Sequence, residues 1–120
     1  MASFSKAARE PSETAIQGGV IRRLQAHGFL VVRFNGGGFR DGAGHFIKNY
    51  IVMGLNAYAG FPDVAGFKDG RVLLLEVKKP KGKLSPAQER FRDYAAHFGV
   101  VVHVVRHPED VTKIVESEGL

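Results

Sequence analysis

The stretch PDVAGFKDGRVLLLEVKK, residues 62–79, decides the fold. Asp69 and Gly70 are the dipeptide favoured at the centre of a two-residue hairpin turn, with apolar segments at 64–67 and 72–77 on either side. The four consecutive apolar residues 72–75 read as a strand buried in a sheet. If Lys68 faces Arg71 across the turn, counting outward pairs Phe67 with Val72, Ala65 with Leu74 and Asp63 with Glu76. Directly opposed residues share a face, so the two carboxylates would lie side by side with Cβ atoms about 4.5–5.5 Å apart. Lys78 follows Glu76 by two positions and projects to the same face.

Like charges opposed on a sheet destabilise it unless a cation lies between them. Carboxylate oxygens suit a hard cation, Mg²⁺ or Mn²⁺, which keeps water ligands and leaves room for a phosphate. Lys78 is placed to steady an attacking hydroxide or the charge developing on a phosphoryl oxygen. The plainer reading is that Lys78 neutralises one acid as an ion pair at a strand end. A slip of one residue in the register would also break the geometry.

The rest of the composition narrows the classes. At 120 residues the chain fits one domain, spanning 1–120, and 44% hydrophobic residues agree with a globular protein. Without cysteine there is neither a disulfide framework nor a thiolate metal site. No apolar run approaches the length of a membrane span, and MASFSKAAREPSE has no apolar core for export, so a cytoplasmic location and no membrane partner are expected. From Arg106 onward there are two bases and four acids, which leaves a net charge of +7 on the first 105 residues. Such a basic body attracts polyanions, nucleic acid first.

Along the chain, PSETAIQGGVIRRLQAHG reads as a helix capped by Ser12, with Ile16, Val20 and Leu24 at helical spacing and Gly28 closing it; Gly18 and Gly19 weaken it. FLVVRF (29–34) reads as a strand. NGGGFRDGAGH (35–45) is a glycine-rich loop that is not expected to hold regular structure, and NYIVMGL (49–55) is a second strand. After the hairpin, KKPKGKL is a basic loop. SPAQERFRDYAAHFG reads as a helix with Ser85 as cap, Pro86 in its first position and Gly99 past its end. VVVHVV (100–105) is a buried strand and PEDVTKIVESEG a closing helix. The expected fold is α/β, a mixed sheet flanked by helices.

The order Pro62, Asp63, then Glu76, Val77, Lys78 resembles the PD-(D/E)XK nuclease signature, whose αβββαβ core matches the order above. More narrowly, ETAIQGGVIRRLQAHGFLVVRFNGGG, GFPDVAGF, LLLEVKKPKGKLSPAQ and FGVVVHVV together resemble the VRR-NUC family of nucleases, over residues 13–105. The resemblance implies a metal-dependent deoxyribonuclease in which Asp63, Glu76 and the Val77 backbone carbonyl hold the metal. It implies that Glu13 joins them directly or through water, and that Lys78 and Gln88 position the attacking water. It further implies a structure-specific endonuclease like a Holliday-junction resolvase, a homodimer acting on branched DNA. The dimer contact is expected around FIKNYIVMGLNAY (46–58), with the outer face of the helix after Ser85 as the other choice.

The residues themselves leave alternatives open. Glu13 falls on the buried stripe of its helix, yet an acid in a first turn is also favoured by the helix dipole; Glu10 is second in line for its role. Gln88 fits a capping box with Ser85 as well as a site facing the strand. Lys79, Lys81, Lys83, Arg90 and Arg92 form a DNA phosphate track or a solvated basic face. Arg33, Asn35, Arg40 and His45 belong to a DNA-contacting flap or to a plain loop. His27, His97, His103 and His107 read as structural. Two other functions stay in view: a non-cleaving nucleic-acid-binding or assembly module on a nuclease fold, and a flap- or end-directed nuclease.

Overall fold

The computed structural model describes residues 10–34, 38–40, 42–48 and 60–120. Helix α1 (Glu13–Ala26) starts at Ser12, whose side chain accepts the Ala15 N–H, and ends at Gly28, where φ is +86°. Strands β1 (Leu30–Arg33), β2 (Gly38–Arg40), β3 (Phe46–Lys48), β4 (Val64–Lys68) and β5 (Arg71–Val77) follow, then helix α2 (Pro86–Ala96), strand β6 (Val102–Val105) and helix α3 (Glu109–Ser117). The main sheet runs β1-β4-β5-β6, antiparallel except for the β5–β6 pair, which the α2 crossover makes parallel. Helix, three sheet strands, helix, strand is the expected core order. The expected second strand at 49–55 lies outside the described residues; the three strands before α2 in the main sheet are β1, β4 and β5.

Between β1 and β4 the glycine-rich segment departs from expectation. Gly38 pairs with Lys48 and Arg40 with Phe46 in a separate two-stranded ladder, closed by a turn in which Gly44 takes φ +87°. Glycine weakens a strand interior but supplies the backbone freedom that so short a reversal needs.

The hairpin has the register set by its turn. Lys68 opposes Arg71, Phe67 opposes Val72, and Val64 opposes Leu75. Asp69 and Gly70 both have positive φ, as a type I′ turn requires. At this end the two opposed cations are held by helix-terminal carbonyls. Lys68 Nζ donates to His27 O at 2.9 Å and Leu120 O at 2.7 Å, and Arg71 donates to Glu118 O at 2.6 Å.

The core lies between one sheet face and the helices α1 and α3. Val20, Leu24, Val64, Leu75, Val77 and Val105 are fully buried there, each such side chain contributing about 1.5–3 kcal/mol. Gly19 has a packing role: a Cβ there would stand 2.7 Å from Pro108 Cγ, so its absence lets α1 and the start of α3 close together. The opposite sheet face is covered only in part, by α2, which leaves a cleft of about 330 Å³ lined by Phe61, Leu74, Phe91, Tyr94 and Phe98. Residues 72–75 are therefore not buried on both sides: Leu73 and Leu75 face the core, Leu74 is half-buried and Val72 is 51% exposed.

Candidate active site

The hairpin's open end, opposite the turn, brings the acids together. One step beyond the Val64–Leu75 pair the same register sets Asp63 against Glu76. Here the regular ladder ends and the Asp63 carboxylate substitutes for a backbone acceptor, Oδ2 taking the Val77 N–H at 3.1 Å. On its other side Asp63 accepts the Phe34 N–H through its main-chain oxygen at 2.6 Å. The residue is thus fixed from both neighbouring strands.

Glu76 sits on a central strand, opposite Val104 of β6, and is 1% exposed. Its Oε1 and Oε2 are buried without a hydrogen-bond donor. Burial is the main force raising its carboxyl, to about 9, and the Asp63 carboxyl adds to the rise through a hydrogen bond and through its charge; Lys78 opposes it, and Glu13 adds a smaller push. Two ionised carboxylates have no hydrogen to share. The bond to Asp63 therefore requires a proton on one of them, and with both ionised the Glu76 oxygens are orphaned.

Gly60 explains how the segment before Asp63 reaches this place. A Cβ on Gly60 would fall on the Ala87 carbonyl, so the chain crosses directly over the backbone of the first turn of α2. Phe61 then lies between Phe34, with ring centroids 4.9 Å apart, and Phe91, at 5.1 Å. These contacts join β1, the Asp63 segment and α2 around the acids.

The other expected residues are placed as follows. Lys78 is half-buried at the end of β5, its N–H donating to Val105 O at 2.9 Å, and its charge reaches Glu76. Glu13 is exposed, a correction to its expected place on the buried stripe; the first turn of α1 extends past the core that covers Ile16. Its charge is nonetheless felt at Glu76. Gln88 completes the capping box, its Oε1 accepting the Ser85 N–H at 2.8 Å while its own N–H donates to Ser85 Oγ at 3.2 Å. That leaves the amide nitrogen as the remaining donor of the side chain. Phe98, one residue past the C-cap His97 of α2, is 68% exposed. Lys79, Lys81 and Lys83 are exposed in the loop that follows Lys78, Arg90 and Arg92 are exposed on α2, where Arg92 lines a hollow with Ala96 and Gly99, and Arg33 is exposed at the site end of β1. Arg40 lies on β2, and Asn35 is outside the described residues. Glu10 is exposed ahead of α1.

Among the described residues no three His, Asp or Glu side chains gather into a ligand cage. The Asp63–Glu76 pair still fits a hard cation, because Mg²⁺ binds through one or two carboxylates and completes its shell with water and phosphate oxygens. The orphaned Glu76 oxygens are the donors such an ion needs. The histidines serve elsewhere: His27 Nε2 meets Thr112 Oγ1 at 3.2 Å, and His97 Nδ1 meets Asp93 O at 2.9 Å.

The family description "VRR-NUC domain" matches residues 44–107, more than half of the chain and including both acids and Lys78. The chain belongs to the VRR-NUC family. Its fold is that of a VRR-NUC domain as well: a solved structure described as "VRR_NUC domain" superposes with a TM-score of 0.60 at 24% identity, over 87% of this chain and 94% of its own. No curated protein matches. VRR-NUC is a nuclease-type family, for which DNA is the substrate class, and among the described residues no helix is long and apolar enough to cross a membrane.

Proposed function

We propose that this VRR-NUC chain is a divalent-metal-dependent endonuclease that hydrolyses phosphodiester bonds in branched DNA. The observation that carries the reading is the buried Glu76 carboxylate, without a donor, opposed to Asp63 and followed by Lys78. A pure nucleic-acid binder gains nothing from opposed carboxylates that repel phosphate.

Asp63 and Glu76 would hold Mg²⁺ or Mn²⁺ together with the Val77 carbonyl, with Glu13 reaching the site through water. The ion supplies Lewis-acid polarisation of the scissile phosphate and acidifies water. The Lys78 ammonium steadies the negative charge on the reacting oxygens, and the Gln88 amide orients the attacking water. Lys79, Lys81, Lys83 and Arg90 receive the phosphates on either side, and Arg33 reaches the strand from the β1 side.

Resolving a four-way junction needs two cuts on opposed strands, which a two-fold homodimer supplies with one repeated interface. Of the two expected contacts, residues 49–58 lie outside the described residues, and the apolar surface at hand is at the rim of the cleft between α2 and the sheet rather than on the outer face of α2: Tyr94 is 46% exposed and Phe98 68%. The reading is tested by incubating the protein with linear, flap and four-way DNA, with Mg²⁺, Mn²⁺ or a chelator. Metal-dependent nicking of the four-way substrate is expected. Stable DNA binding with no nicking in either metal would favour a non-cleaving module instead.

A further inference from the structure

The loop after Lys78 carries three exposed lysines, Lys79, Lys81 and Lys83, in five residues. Like charges at that density repel and extend a chain left to itself. This loop is folded back: Gly82 N–H donates to Lys79 O at 2.9 Å, closing a turn. Beneath it lies a fourth cation. Arg106 Nη1 faces Lys79 O at 2.7 Å, Pro80 O at 3.2 Å and Gly82 O at 2.6 Å, so one guanidinium nitrogen gathers three carbonyls of this single turn.

Arg106 is itself fixed. It follows Val105, whose carbonyl accepts the Lys78 N–H, and its own N–H and that of His107 both donate to Asp110 Oδ2, at 2.9 and 3.1 Å. The parallel β5–β6 pairing therefore continues past the strand ends as a side-chain clamp on the loop. All three carbonyls lie around Nη1, which stands one bond farther from the backbone than a lysine ammonium would and is held in the guanidinium plane.

We infer that Arg106 is a positioning residue for the substrate: by holding the carbonyls of Lys79, Pro80 and Gly82, it fixes the lysine-bearing loop relative to Lys78 and the carboxylate pair, so that neighbouring phosphates are received in register with the scissile one. This rests on the nuclease reading above. Holding the loop before DNA arrives removes part of the ordering penalty of binding. The charge of Arg106 is not the point; its geometry is.

Arg106→Lys separates the two, since it keeps the charge and loses the three-carbonyl reach. The full chain and this variant are compared by amide hydrogen exchange in residues 79–83 without DNA, by DNA affinity against salt, and by single-site cleavage kinetics, with Lys81→Ala as reference. For Arg106→Lys, faster exchange at Gly82, KM raised by about five- to tenfold and kcat within about twofold are expected, because binding and not chemistry is weakened. The salt slope should stay at the wild-type value, whereas Lys81→Ala should lower it by about one unit. Unchanged exchange and unchanged KM in Arg106→Lys overturn the clamp. A wild-type protein with no affinity for any DNA sinks the nuclease reading and the positioning role with it, while the exchange result still reports on the loop.

Discussion

The Val77 amide donates to Asp63 Oδ2 across the end of the hairpin, so one carboxylate of the pair is also the last link of the β4–β5 ladder. On the proposed mechanism Asp63 has a chemical duty beside this structural one, and substitutions can separate them. Asp63→Asn keeps an oxygen for the Val77 N–H and should fold normally; Asp63→Ala loses that bond and about 1 kcal/mol of stability. Both, like Glu76→Gln, should lower cleavage on the order of 100-fold or more, with DNA affinity kept or raised. Urea unfolding and gel-based cleavage check this, and cleavage within about tenfold of wild type in both Asp63→Asn and Glu76→Gln contradicts the metal site.

The raised Glu76 carboxyl makes stability depend on pH. Its folded value of about 9 lies above the unfolded 4.5, so the metal-free folded state binds the extra proton between them. Its stabilising contribution is full below pH 4.5 and is lost as pH rises through 9, by up to about 1.4 kcal/mol per pH unit. Metal binding must displace that proton, so the rise in Tm on adding Mg²⁺ or Mn²⁺ should grow with pH. Thermal melts from pH 5 to 9 with chelator or metal test both. Glu76→Gln should flatten each curve; wild-type and variant curves of equal slope would contradict the shift.

Gly60→Ala should destabilise the protein by about 1–3 kcal/mol, as overpacking does, because the added carbon meets the Ala87 carbonyl. Cleavage should fall further than the lost folded fraction accounts for, since the shift separates Asp63 from Gln88. Denaturant titration beside activity per folded molecule reads the two effects apart.

Lys78→Ala is expected to lose activity with little loss of affinity, whereas Lys81→Ala and Lys83→Ala weaken binding and each flatten its salt dependence by about one unit. Fluorescence anisotropy at several salt concentrations, with single-turnover cleavage, distinguishes them. A Lys78 variant that behaved like the other two would have no catalytic part.

A homodimer at micromolar concentration is expected in sedimentation with four-way DNA. Phe98→Glu, on an exposed position, should dissociate it without unfolding the chain. A monomer with and without DNA would favour a flap- or end-directed nuclease, which needs one site.

Much of the fold was legible because its key contact is local. The Asp69–Gly70 turn fixes every later pair of the hairpin, including the two acids, and Ser12 and Ser85 cap their helices as their positions imply. The coverage of the sheet was not legible: Val72 and Leu73 are equally apolar in sequence, and only the partial cover by α2 distinguishes them. Arg106 carries no motif and meets a loop more than twenty residues away, so nothing in its own neighbourhood signals the clamp. Gly60 was visible within GFPD, but its reason, the approach of α2, is tertiary.

The β4–β5 hairpin is electrically asymmetric along its length. Its turn end sets Lys68 against Arg71, and its open end, one step past the Val64–Leu75 pair, brings Asp63 to Glu76. The cationic end is held by carbonyls of His27, Glu118 and Leu120, the first two at helix C-caps where partial negative charge concentrates, and by the Glu118 carboxylate, 3.7 Å from Arg71. Those anchors hold the strands in register at the turn end, and at the open end the Val77 N–H bond to Asp63 Oδ2 and the hydrogen bond between the two carboxyl groups do the same. The ribbon is thus pinned at both ends, and a cation at the open end would have to take the place of the proton that the two acids share.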